Sequence, residues 1–174
     1  MARRDSGEFT AFVLASQPRL RRTAYLMCGD WQLASDYVQE ALIRVYRHWP
    51  RLRGEAGAHA YARKAVLNVV IDAKRRRSST EVPVDSVVER VGARDEAEAS
   101  VDRDLLTRCL AQVPPRQRAC LVLRYYDDLS VSEIATALGV SEGTVKSQTA
   151  RGLDTLQAAF ARATHDELLV SGRE

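Results

Sequence analysis

Between Ser130 and Arg151, two helix starts and a glycine stand at fixed offsets, and few folds accept that pattern. Ser130 is placed to cap a short helix. Glu133, three residues on, completes a capping box in which each side chain accepts the other's free backbone N–H. Ile134, Ala135 and Leu138 form the inward side of that helix. Gly139 stands where a tight turn between crossed helices needs a left-handed residue, which glycine supplies without steric cost. Val140 plugs the corner, Ser141 caps a second helix, and Val145 packs back on the first. Small Ala135, turning Gly139 and apolar Val145 make up the arrangement a helix-turn-helix requires.

The second helix then presents Thr144, Lys146, Ser147, Gln148 and Arg151, with the cap Ser141 beside them. Lysine and arginine reach phosphates or guanine, glutamine pairs with adenine, and hydroxyls serve either. A helical hairpin with a merely solvated outer face is the plain alternative. The spacing, both caps and the polar face agree with one another, which favours binding to DNA.

The rest of the chain also reads as helix. Only 9 glycines and 5 prolines occur in 174 residues, and 45% of residues are apolar. A first helix is expected over Gly7–Cys28, with a kink or restart at Pro18, which lacks an N–H and clashes one turn back. Gly29 ends it and Asp30 can cap the next. There, Ala34, Val38, Ala41, Leu42, Val45, Tyr46 and Trp49 make one stripe at helical spacing, and Pro50 stops the helix. Pro50–Gly57 reads as a loop. A third helix is expected over Ala58–Arg77, with Ala62, Ala65, Val66, Val69 and Ala73 buried, and Arg63, Lys64, Asn68, Arg75 and Arg76 on a strongly basic remainder.

Residues 78–100 break the pattern with Ser78-Ser79-Thr80, Pro83 and a run of acids, as a flexible acidic linker would. From Val101, residues Leu105, Leu106, Cys109, Leu110 and Val113 form another amphipathic helix. Pro114-Pro115 ends it and starts the next, which carries Ala119, Cys120, Val122, Leu123 and Tyr126, before Asp127-Asp128 turns the chain. The expected fold is all-α, with two small helical domains over 7–77 and 101–163 joined by the linker 78–100.

Charge follows these divisions. Residues 1–77 hold 15 Lys and Arg against 7 Asp and Glu, residues 78–104 hold 3 against 8, and residues 105–174 hold 8 of each. A basic first block favours a polyanionic partner. Cys28, Cys109 and Cys120 are odd in number and form no CxxC pair, so packing thiols are expected rather than a zinc or redox site. No stretch approaches the roughly 18 to 20 apolar residues of a membrane span, and Asp5 and Glu8 sit where a signal peptide needs an apolar core. This reads as a cytoplasmic protein with no membrane partner. His48, His59 and His165 are scattered, and no phosphate-cradling glycine loop or metal cluster appears. No catalytic residue, metal, cofactor or small-molecule substrate is expected.

The run from Val113-Pro-Pro-Arg-Gln-Arg through Glu133-Ile-Ala, Leu138-Gly-Val-Ser and Gly143-Thr-Val-Lys-Ser resembles region four of bacterial RNA polymerase sigma factors. Asp36-Tyr-Val-Gln-Glu-Ala is similar to the family's polymerase-binding helix, with Tyr37 where leucine is commoner. The helix ending Asp72-Ala-Lys-Arg-Arg-Arg is similar to the helix that handles the minus-ten element. Two such domains with a short linker resemble the extracytoplasmic-function group. Gln148 and Thr149 stand where many members carry arginine and a larger residue.

The resemblance implies that Asp36, Gln39, Glu40, Arg44 and Arg47 dock on the clamp helices of core RNA polymerase, with the polymerase flap a further contact. It implies that Arg51, Arg53, His59, Tyr61, Arg63, Lys64 and Asn68 grip an opened minus-ten strand, with Arg75 and Arg76 on duplex phosphates. Trp49 could stack on a base, but its place in the apolar stripe favours core packing. The helix-turn-helix would read the minus-thirty-five element, and the acidic linker would thread the polymerase's RNA path. Promoter DNA and an anti-sigma factor are the other implied partners. A helix-turn-helix regulator with a helical sensor domain, a polymerase-binding decoy and a small helical enzyme are the rival readings.

Overall fold

A computed structural model describes residues 6–80 and 101–171, with side-chain environments over 6–76 and 104–165. The chain divides into two compact units, Met1–Gly92 and Ala93–Glu174. All the described regular structure is helical.

The first unit packs three helices, α1 (Ser6–Cys28), α2 (Trp31–His48) and α3 (Gly54–Thr80), each against the other two. Asp30 caps α2 as expected, its carboxylate accepting the Leu33 N–H at 2.8 Å. The stripe on α2 is buried through Ala34, Val38, Ala41, Val45 and Trp49. It meets Phe12, Leu20, Ala24 and Met27 of α1, and a face of α3 rich in small residues at Ala58, Ala62 and Ala65. Leu67 and Val70 are buried as well, while Ala73 is only half-buried, so the core reaches around more of α3 than the expected stripe. Buried Ser16 and Thr23 satisfy their hydroxyls one turn back, on the Phe12 and Arg19 carbonyls.

Two expectations are corrected here. The first helix does not restart at Pro18 but runs unbroken to Cys28. Pro18 and Leu14 lie on the exposed side, where solvent can reach the carbonyl that proline leaves without its helical N–H. The loop after Pro50 is also shorter than expected. Trp49–Arg51 form a single 3-10 turn, and α3 begins at Gly54 rather than Ala58. Gly54, at φ +65°, is the turning residue, whereas Gly57 is an ordinary helical residue. At its other end α3 reaches Thr80, into the first residues of the expected linker. The remainder of that acidic stretch, 81–100, lies outside the described residues.

The second unit is built on α7 (Glu142–Ser171), which packs against α4 (Val101–Gln112), α5 (Pro115–Leu121) and α6 (Val131–Leu138). Pro114 breaks the chain after α4, which leaves carbonyls open at its end. Arg118, only 4% exposed, donates to two of them, Ala111 at 2.7 Å and Val113 at 2.9 Å. After Leu121 the helix does not stay regular as expected. It widens into a π-helical turn over Val122–Tyr126, closed by the Asp127 N–H on the Val122 carbonyl at 3.1 Å. Arg124 then holds the Leu129 carbonyl at 2.7 Å, across a turn in which Asp128 is left-handed at φ +53°.

Where α7 crosses α5 the backbones come close. A Cβ on Gly152 would lie 3.1 Å from Leu121 Cγ and 3.3 Å from Gln117 Cβ, so only glycine fits without displacing Leu121.

Candidate nucleic-acid interface and docking face

The helix-turn-helix forms as the sequence implies. Ser130 and Glu133 make the full capping box: the Glu133 N–H reaches Ser130 Oγ at 3.3 Å and the Ser130 N–H reaches Glu133 Oε2 at 2.8 Å. Gly139 ends α6 in the left-handed region at φ +67°, with its N–H on the Ala135 carbonyl. Ile134 and Val145 are fully buried, which locks the two helices together. Ser141 Oγ accepts the Thr144 N–H at 3.2 Å and lies 2.9 Å from Thr144 Oγ1.

Of the residues singled out on this unit, Ser141, Lys146, Ser147 and Arg151 are exposed. Thr144 and Gln148 are half-buried. Ser147 donates its hydroxyl to the Thr144 carbonyl at 3.0 Å.

On the first unit, α2 exposes Asp36, Gln39, Glu40 and Arg47, with Arg44 half-buried. These positions follow helical spacing and share the face opposite the core stripe. Glu40 and Arg44 pair with each other at 2.6 Å. Ile43, 54% exposed, lies between these charged residues, and the sequence pattern alone did not single it out. Tyr46, one turn on and 55% exposed, rests its ring 4.9 Å from that of Phe9.

The basic candidates gather at the start of α3 and along it. Arg51, Arg53, Lys64, Asn68, Arg75 and Arg76 are exposed, and His59, Tyr61 and Arg63 are half-buried. The His59 ring packs 5.0 Å from Phe12 and lies 3.7 Å from Glu55, an ion pair only when the imidazole is protonated. Tyr61 packs 5.2 Å from His48. Trp49 is 4% exposed, with the Phe9 and Phe12 rings against it, so it is a core residue rather than a stacking platform. At the α1–α2 corner, Trp31 stacks on Tyr25 at 3.9 Å, with the Arg21 guanidinium 5.1 Å from the Trp31 ring.

Cys109 and Cys120 are buried and Cys28 is half-buried, and burial pushes the Cys120 thiol above its ordinary range. Cys28 lies 3.2 Å from the Asp30 carbonyl. Among the described residues no group of three acidic, histidine or cysteine side chains could hold a metal ion. Among the same residues no helix is long and apolar enough to cross a membrane.

Besides Ile43, reasoning from sequence missed Arg118, which looks like one more polar position. Its signal was a double proline that leaves carbonyls open, followed within one turn by a long-armed donor.

A chain with a helix-turn-helix in one helical unit and, in the other, a basic helix beside a helix with a charged outer face has the features of a DNA-binding protein. Residues 12–80 match the family model for Sigma-70 region 2, and residues 103–156 match that for Sigma-70, region 4. The RNA polymerase sigma-E factor of Streptomyces avermitilis is 36% identical over 157 residues, covering 90% of this chain and 87% of that protein. The ECF RNA polymerase sigma factor SigL of Mycobacterium tuberculosis is 36% identical over 134 residues, covering 74% and 75%. In fold, the chain is similar to the solved structure of the sigma factor RpoE in complex with the anti-sigma factor NepR from Bartonella quintana. The TM-score is 0.73 at 22% identity, covering 88% of this chain and 97% of that one. The chain belongs to the sigma-70 family of RNA polymerase sigma factors, in its extracytoplasmic-function group. Its activity is to bind core RNA polymerase and bring it to promoters.

Proposed function

We propose a division of that activity between the two units. The outer face of α2 docks on the polymerase clamp helices through Asp36, Gln39, Glu40, Arg44 and Arg47, with Ile43 as the apolar contact among them. Interfaces concentrate their affinity in such a residue, screened from water by a polar surround.

The start of α3 holds the opened minus-ten strand. Arg51, Arg53, Arg63 and Lys64 follow its backbone, and His59, Tyr61 and Asn68 line the place for an unstacked base. Arg75 and Arg76 sit on duplex phosphates, where binding falls steeply with salt. Ser141, Thr144, Lys146, Ser147 and Arg151 meet the minus-thirty-five element, with Gln148 on their flank, the phosphate contacts setting register and the base contacts setting specificity. Residues 7–77 and 101–163 act as the two domains and 78–100 as the tether along the polymerase's RNA path.

The chain itself catalyses no reaction and needs no cofactor, since bond formation belongs to the polymerase. It works in the cytoplasm. An anti-sigma factor masks its DNA-facing and polymerase-facing surfaces; the similar sigma factor RpoE of Bartonella quintana forms a complex with such a protein, NepR.

The observation that carries this reading is the charged outer face of α2 around an exposed isoleucine, in the same chain as a fully capped helix-turn-helix. The test is run-off transcription with purified core RNA polymerase and a pool of promoters. Transcripts should depend on this protein and drop at least about tenfold when Asp36→Lys and Glu40→Lys are combined. That drop corresponds to about 1.4 kcal/mol of docking energy. If the protein shifts promoter DNA alone and never associates with core polymerase, the docking assignment is wrong and a conventional regulator takes its place.

A further inference from the structure

The recognition helix offers a narrower reading surface than its polar residues suggest. Lys146, Ser147, Ala150 and Arg151 are exposed and stand at i, i+1, i+4 and i+5 on α7, one continuous face. Buried Val145 and Gly152 lie on the opposite side and fix the rotation of the helix about its axis. Gln148 and Thr149 consequently fall on the flank and are half-buried.

The hydroxyls narrow the surface further. Ser141 and Thr144 are engaged with each other at the helix start. Ser147 donates inward to the Thr144 carbonyl, which leaves its oxygen outward as an acceptor. Asp154, exposed one turn beyond Ala150, puts a carboxylate on the same face. A carboxylate is repelled by phosphates, so the cationic stretch of this face ends at Arg151. Toward the end of what remains is a methyl group, that of Ala150, one turn on from Lys146 and Ser147 and beside Arg151.

We propose that Ala150 reads the 5-methyl group of a thymine in the upstream promoter element, and that Gln148 reads no base. This rests on the promoter-binding reading of the helix-turn-helix. In the major groove thymine alone presents an apolar group, and an alanine methyl is a standard apolar partner for it. A small side chain at this point of the face lets the helix approach closely enough for that contact. Arg151, beside it, reaches the O6 and N7 acceptors of a guanine, and the Ser147 oxygen suits the amino group of adenine or cytosine. Gln148, on the flank, cannot present its amide squarely to an adenine edge.

The test uses holoenzyme assembled from the full chain and bacterial core polymerase. Bound promoters are selected from a pool with randomised upstream elements. Each thymine of the selected element is then replaced by deoxyuridine, which removes only the methyl group. At one position this should weaken wild-type holoenzyme roughly fourfold, the worth of one buried methyl-sized group. With Ala150→Gly, thymine and uracil should bind equally there. Ala150→Ser, gentler on the helix, should keep the rest of the element and lose most of that one preference. Gln148→Ala should select the same element as wild type. The proposal is overturned if no thymine senses its methyl, if both Ala150 variants keep the sensitivity, or if Gln148→Ala loses a base preference. A chain that assembles no holoenzyme, or selects no promoter at all, overturns the sigma reading itself and this proposal with it. That failure appears at the first step, before any uracil is introduced.

Discussion

The α1–α3 unit is held by long stripes of apolar residues, whereas the α4–α7 unit depends on a few residues that each have one structural duty. In the first, Val38, Val45, Val66 and Val69 are all but fully buried, and burying each contributes about 1.5 to 3 kcal/mol. That load is spread over many positions. In the second, Arg118 closes the end of α4, Gly152 admits α5, Gly139 turns the corner and the Ser130–Glu133 box starts α6. The lesson is one of tolerance. The first unit should absorb conservative change, and the second should fail at named points.

The largest expected effect tests that contrast directly. Arg118→Ala removes two charge-assisted hydrogen bonds and strands two carbonyls, and should destabilise the second unit by about 3 kcal/mol or more. Thermal unfolding followed by circular dichroism should then show two transitions, only one of them displaced. A single transition that moves as a whole would erase the contrast. Next, Pro18→Ala restores an N–H to an exposed helix interior and should stabilise the first unit by up to about 3 kcal/mol. No gain there would mean that solvent already serves the Leu14 carbonyl fully and that the ring sits without strain. Gly152→Ala should cost the second unit about 1 to 3 kcal/mol by pushing Leu121 out of place. Gly57→Ala, which meets nothing within 4 Å, should instead stabilise the first unit by up to about 1 kcal/mol. Smallest are the caps. Ser130→Ala and Asp30→Ala should each cost about 1 kcal/mol, one in each unit, in chemical denaturation. A cost confined to Ser130 would sharpen the view that only the second unit leans on single residues.

The same division explains what could be read from the sequence. The Asp30 cap, the capping box, left-handed Gly139 and most of the α2 stripe depend on neighbours within one or two turns and stand where the pattern puts them, whereas Leu42 is half-buried and Tyr46, at the edge of that stripe, is exposed. The start of α3 did not, because Gly57 looks like a loop residue when only its propensity is weighed, yet packing from Ala58 onward carries the helix back to Gly54. The close pass at Gly152 is set by Leu121 and Gln117, distant in sequence, so local periodicity holds no trace of it, and a period of about 3.6 does not mark the π-helical turn at Val122. Among the candidate surfaces, the polar positions of α7 were legible as a set. Which of them face outward was not, since that rotation is fixed by how Val145 and Gly152 seat against α5 and α6. Ile43 escaped for the opposite reason: one apolar residue among charges looks incidental until its exposure is known.

The stacked corner of Trp31 on Tyr25, with Arg21 beside it, has an optical consequence. The chain has 2 tryptophans, Trp31 and Trp49, and both belong to the α1–α3 unit. Light absorbed selectively by indole therefore reports on that unit alone, with the half-buried Trp31 marking the α1–α2 corner and the buried Trp49 marking the core. Comparing the transition seen in this signal with that in the helical ellipticity of the whole chain separates the unfolding of the helix-turn-helix unit without a label. A partner settling over the α1–α2 corner would be visible in the colour of the emission.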